Sequence, residues 1–178
     1  MSKRSFPLAH VYRLLEPGPV VLLTTSAKGL DNVMAQSWHT MVEFEPPLVA
    51  LVVSNRNHSF RALKSTRECV INIPTASLAR EVVGCGNVSG RTINKFDRFG
   101  LTRVAASLVG PPLIADCYAS LECRVTDARM VNKYGLFVVE VIKAWVDTAQ
   151  RNPRTLHHRG MGAFAIAGRT IKLASRMK

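Results

Sequence analysis

Acidic groups are scarce in this chain: 12 Asp and Glu stand against 24 Lys and Arg in 178 residues, a net charge of +12. Scarcity of that order argues against general acid–base work by a pair of carboxylates. The one close pair, Glu43 and Glu45 on either side of Phe44, reads as a solvent-facing strand end. No apolar run approaches the roughly 20 residues that would span a bilayer, so no membrane partner is expected. The basic start MSKRSFPLAH is followed by no apolar h-region, and no secretory signal is expected. Cysteine is sparse, and Cys69, Cys85, Cys117 and Cys123 form no C-x-x-C pair. Four cysteines allow two disulfides, but a domain of this size does not need them; reduced, mostly buried thiols in a cytoplasmic protein are the expectation. Histidine clusters only at His157-His158, and neighbours on a strand face opposite ways, so no metal site is expected. There is no G-x-S-x-G elbow for a nucleophile.

Aromatics make up only 7% of the chain. A nucleic-acid platform needs exposed rings for stacking, so nucleic acid is not expected as a partner despite the charge. The charge favours anions of some kind. It is spread over Lys3-Arg4, Arg151-Arg154-Arg159 and Arg169-Lys172-Arg176-Lys178 rather than gathered in one tract. GCGNVSG, with glycines at 84, 86 and 90, is one residue too long for G-x-G-x-x-G and follows a helix-like segment. A dinucleotide fingerprint follows a strand and opens a helix, so the Rossmann reading fails.

What is present is 47% hydrophobic residues in short, punctuated runs, enough for one folded domain over 1–178. Strands are expected at Val20–Thr25, at Val33–Val42 as one long strand, at Leu48–Val53 beyond the corner forced by Pro46-Pro47, and at Cys69–Ile73. Helices are expected after Ser59 as an N-cap, at Ser77–Gly86, and at Asn94–Gly100. Strands return from Tyr118 and over Gly135–Val146, and AFAIAGRTIKL reads as a hairpin pivoting at Gly168. Strands interleaved with short helices, without regular strand–helix alternation, point to a mainly β, α+β fold: a β-barrel with peripheral helices.

Two stretches have more polar groups than a structural strand or turn requires. AQSWHT, Ala35 to Thr40, offers backbone groups and the Ser37 and Thr40 hydroxyls to the rim of a flat heterocycle. SNRNHSF, Ser54 to Phe60, follows a buried strand with hydroxyls, amides, Arg56 and His58 but no acid. Its backbone amides, Ser54, Arg56, Ser59 and the start of the next helix form a set that holds a phosphate. One tight corner separates the two, so their strands should be adjacent and antiparallel.

The segment from Pro17 to Pro74, together with GCGNVSGRTINKF, SLECRV and LHHRGMGAFAIAGRTI, resembles the flavin reductase-like family, flavoredoxin branch. The resemblance implies an FMN-binding split β-barrel of Greek-key-like form, a homodimer with a flavin near the subunit interface, and FMN as cofactor. It implies that Ala35, Gln36, Ser37, Trp38, His39 and Thr40 lie along the flavin ring, and that Ser54, Asn55, Arg56 and Ser59 receive the phosphate. It brings Gly90-Arg91, Lys95 and Phe96 close to the flavin, and places His157 and His158 beside an incoming nicotinamide. Where this chain has Asn57-His58, relatives often have a short hydroxyl or an aromatic. The implied activity is electron transfer from NAD(P)H through flavin to an acceptor, with no essential catalytic side chain. The alternative is a flavoredoxin-type carrier reduced by a redox partner protein, without direct use of NAD(P)H.

Overall fold

The computed structural model describes residues 3–11 and 18–174. Pro17 and the basic residues Arg176 and Lys178 lie outside that range. The strands are β1 (Arg4–Ser5), β2 (Val21–Ala27), β3 (Leu30–Gln36), β4 (His39–Glu43), β5 (Leu48–Val52), β6 (Glu68–Ile73), β7 (Arg103–Val104), β8 (Leu113–Ile114), β9 (Ala119–Asp127), β10 (Leu136–Val146), β11 (Leu156–His158) and β12 (Phe164–Ile166). The helices are α1 (His58–Thr66), α2 (Ala79–Asn87), α3 (Lys95–Phe99) and the single turn α4 (Val131–Tyr134). Seven strands run in the order β3-β2-β6-β9-β10-β5-β4, with β1 paired to β10, every ladder antiparallel. The first and last strands of that path are consecutive in sequence, so the sheet curls into a barrel.

Both faces of β2 are buried, which is why VVLL shows no polar alternation. Val21 and Leu23 enter the barrel core with Leu51, Ile71, Leu121 and Phe137. Leu22 faces the other way, into a second core with Val33, Val82, Cys85 and Phe96 under α2 and α3. Period-two alternation splits one apolar run between two cores.

Three sequence expectations are corrected. The expected strand Val33–Val42 is two strands broken at Ser37-Trp38. Gln36 makes the break: its buried side chain donates to the carbonyls of Trp38 (3.1 Å) and Val52 (2.9 Å), and Val52 N donates to Trp38 O (3.0 Å). A side chain thus supplies a link across the seam between β3 and β5, and of the two strands β3 and β4 it is β4 that pairs with β5. Ser59 is not the N-cap of α1; Asn57 takes that place, and Ser59 turns inward. The final hairpin pivots at Gly160–Gly162 rather than Gly168, because Gly160, Met161 and Gly162 all adopt positive φ and Ala163 N bonds Gly160 O. In addition, α2 begins at Ala79, after a 3-10 turn at Ala76–Leu78, and runs through both its glycines. Gly84 is needed there because a Cβ would strike the Phe99 ring of α3.

Among the described residues no helix is long and apolar enough to cross a membrane, and all four cysteines are free and buried. At the N-terminus the Lys3 ammonium is driven between Ile114 O (2.5 Å) and Ser120 Oγ (2.7 Å). Burial lowers its pKa to about 8, against the opposing pull of Cys117, Asp116 and Asp147. Below that pH both states carry the proton, and the cost of burying the charge is fully present. Between about 8 and the ordinary 10.5 the unfolded chain binds more protons, so stability from this group rises with pH. Lys3→Met is expected to flatten that part of the curve in urea titrations between pH 8 and pH 10; a curve parallel to wild type rules the assignment out.

Candidate functional site: a groove along strand β3

Successive residues of β3 open into three contiguous clefts. The middle cleft, about 280 Å³, is bounded by Asn32 and Ala35 of β3, Ser59 of α1, Arg56 of the preceding loop, Gly90 and Lys95. Beyond Ala35, Gly86 and Asn87 it meets an apolar cleft of about 250 Å³, where Ser37, Val20, Val82 and Phe164 form the walls and His158 the rim. Before Asn32 and His58 it meets an outer cleft of about 410 Å³. From Asn32 to Ser37 the strand advances about 16 Å at ~3.3 Å per residue.

The lining of the middle cleft is rich in hydrogen-bond donors and positive charge. No side chain caps the first turn of α1, so its leading N–H groups and dipole face outward. Ser59 is 1% exposed, and its Oγ accepts from Asn32 Nδ2 at 2.8 Å, leaving its own O–H to donate. The Lys95 ammonium is buried and spends one N–H on Cys85 O at 2.7 Å. Burial lowers its pKa, and the neighbouring Cys85 thiol is itself pushed up to about 11, chiefly by burial. His58 also falls below the ordinary histidine value, first through burial and then through the charges of Arg91, Lys95 and Arg61. No Asp or Glu among the described residues lines this cleft. The Gly90 backbone presses on the Asn32 carboxamide so closely that a Cβ would collide with it, which explains the last glycine of GCGNVSG.

Not all of the sequence-derived candidates gather here. Ala35, Arg56, Ser59, Gly90 and Lys95 share the middle cleft, and Ala35, Gln36, Ser37 and His158 the apolar one. Ser54, Asn55 and the 71%-exposed Trp38 line a separate hollow beside Lys64 and Tyr134. His39 turns away to bond Pro19 O at 2.7 Å, and Thr40 is exposed, its hydroxyl donating to Met41 O. Phe96 is fully buried beneath the Arg103 guanidinium. His157 bonds Thr155 Oγ1 at 3.1 Å, while His158 packs its ring on Phe164. Asn32 was missed, because Asp-Asn after Gly reads as turn chemistry. An amide that falls inside a strand register opposite Thr25 is the signal that finds it.

A split antiparallel barrel with a basic cleft opening into an apolar slot defines the class, and the comparisons name it. Residues 13–165 match the flavin reductase like domain, and the chain belongs to that family. It is 33% identical to YddH, an uncharacterized protein of Escherichia coli (strain K12), over 92% of this chain and 94% of that one. The fold is similar to that of an FMN-binding domain of a flavin reductases-like enzyme from Shewanella baltica OS155, with a TM-score of 0.91, 29% identity and coverage of 97% and 98% of the two chains. Flavoredoxin of Desulfovibrio vulgaris (Miyazaki F) shares the fold at a TM-score of 0.81 and 20% identity, over 89% of this chain and 91% of that one.

Proposed function

We propose that this protein binds FMN, phosphate in the middle cleft and ring in the apolar cleft, and acts as an oxidoreductase taking electrons from NAD(P)H. The observation that carries this reading is the continuity of the two clefts across Ala35 and Gly86: a basic end, with no acid among the described residues that line it, joined to an apolar slot. That donor set fits a phosphate attached to a flat ring. Bound FMN would supply hydride acceptance and onward electron transfer. The chain's own residues do the holding. Arg56, Ser59, Lys95 and the α1 N-terminus donate to the phosphate. Val20, Val82 and Phe164 keep water from one ring face, and His158 stands at the rim where a nicotinamide enters.

Purified protein is expected to be yellow and to release FMN on denaturation; a colourless preparation that takes up no added FMN removes the proposal. Arg56→Ala is expected to weaken FMN binding by roughly 1.5–3 kcal/mol, the scale of a lost charged hydrogen bond. Unchanged affinity in a fluorescence titration places the phosphate elsewhere. Anaerobic addition of NADH or NADPH should bleach the flavin band. Persistent colour over minutes would assign the protein instead to the carriers that a partner protein reduces.

We place a homodimer contact on the same side as β4. Trp38 just before this terminal strand of the sheet, Val42 within it and Phe44 in the turn after it are 71%, 53% and 60% exposed. Apolar groups clustered in this way mark interaction surfaces. Sedimentation that gives a monomer mass at micromolar concentration would count against it.

A further inference from the structure

The outer cleft has no part in holding FMN, yet it has the chemistry of a binding site. Lys28, Arg61 and Arg91 surround it with His58 and Asn32, and no Asp or Glu among the described residues lines it. None of those three cations forms an ion pair among the described residues. At its base Thr25 is fully buried, and its Oγ1 finds no hydrogen-bond partner among the described residues. A buried hydroxyl without a partner is uncommon and destabilising. Across the ladder from Thr25 stands Asn32, whose amide is tied to Ser59 in the middle cleft. Asn32 and His58 line both clefts, so a group bound in one adjoins a group bound in the other.

We propose that the outer cleft is a second phosphate subsite, which receives a nucleotide phosphate beyond the one held by Arg56 and Ser59. This rests on the flavin reading above. Two sources carry that chemistry. One is the diphosphate of a flavin dinucleotide, whose second phosphate is bonded directly to the first and continues toward Asn32 and His58. The other is a phosphate of NAD(P)H. Adjacency favours the first, because the apolar cleft where a nicotinamide must dock lies at the opposite end of the groove.

The test compares wild type with Lys28→Gln/Arg61→Gln, both exposed residues outside the FMN cleft, by titrating apoprotein with FMN and with FAD, and FMN-loaded protein with NADPH. The expected result is at least a tenfold loss of FAD affinity in the double variant with FMN affinity unchanged. A tenfold loss for NADPH alone also supports the subsite and assigns it to the pyridine nucleotide. Equal affinities of variant and wild type for all three ligands overturn the proposal. Failure of wild type to bind FMN at all would overturn it together with the flavin reading, and that result is distinct because it appears before any variant is made.

Discussion

Gly86→Leu is expected to yield a folded, colourless protein. Gly86 lies on α2 where the middle and apolar clefts join, and it lines both. Its φ is not in the left-handed region, and a Cβ built on it meets only the Ala35 Cβ at 3.6 Å, an ordinary contact. Alanine therefore fits, and replacing a helical glycine is expected to stabilise by about 0.5–1 kcal/mol. Leucine keeps most of that gain, but its remaining carbons extend into the junction that a ligand bridging phosphate and ring must cross. The two substitutions separate stability from binding. Gly86→Ala should retain flavin with a slightly raised thermal midpoint. Gly86→Leu should lose at least a hundredfold in FMN affinity, about 2.7 kcal/mol, without a lower midpoint. A yellow leucine variant of unchanged affinity would show that flavin does not cross this junction. A colourless variant that melts early would show only a damaged fold, and far-UV circular dichroism distinguishes the two.

Much of this groove was legible in the sequence, for definite reasons. Strand β5 was readable because an apolar run bounded by Pro47 and a polar loop admits few other conformations. What escaped was decided by side chains acting across the fold. The break between β3 and β4 depends on Gln36 reaching Val52 O, a contact between residues 16 apart that no periodicity records. Ser59 looks like a cap by type and position. It turns inward only because Asn32, 27 residues earlier, supplies a buried amide for it. Trp38, Ser54 and Asn55 lie in motifs that point to the flavin, yet they line a separate hollow with Lys64 and Tyr134. The final hairpin offered Gly168 as well as the Gly160-Gly162 pair, and the pairing of Leu156 with Ile166 chooses between them.

Gly135→Ala carries the largest expected loss of stability. Gly135 ends α4 with φ +67, its N–H returning to Val131 O at 2.9 Å. Its carbonyl accepts from Val53 N at 2.9 Å, just before the β5–β10 ladder begins at Leu136 and Val52. A Cβ here would lie 2.5 Å from Val53 O, a backbone atom that cannot swing aside. Two costs therefore combine: about 1–2 kcal/mol for a left-handed alanine, and about 1–3 kcal/mol for the overpacked contact. Gly100 isolates the first, since it ends α3 with φ +63 and nothing lies within 4 Å of its added Cβ. Gly100→Ala should lose about 1–2 kcal/mol, and Gly135→Ala about 2–5 kcal/mol. At roughly 2–4 °C per kcal/mol for a protein of this size, the two melting points should separate visibly. Asparagine tolerates a left-handed φ better than alanine but keeps the Cβ, so Gly135→Asn should recover little if the Val53 contact dominates. Equal losses at 100 and 135 would show that the strand end yields freely. Because Ser54 follows Val53 directly into the loop that bears Arg56, the Gly135 variant should also bind FMN more weakly, while the Gly100 variant should not.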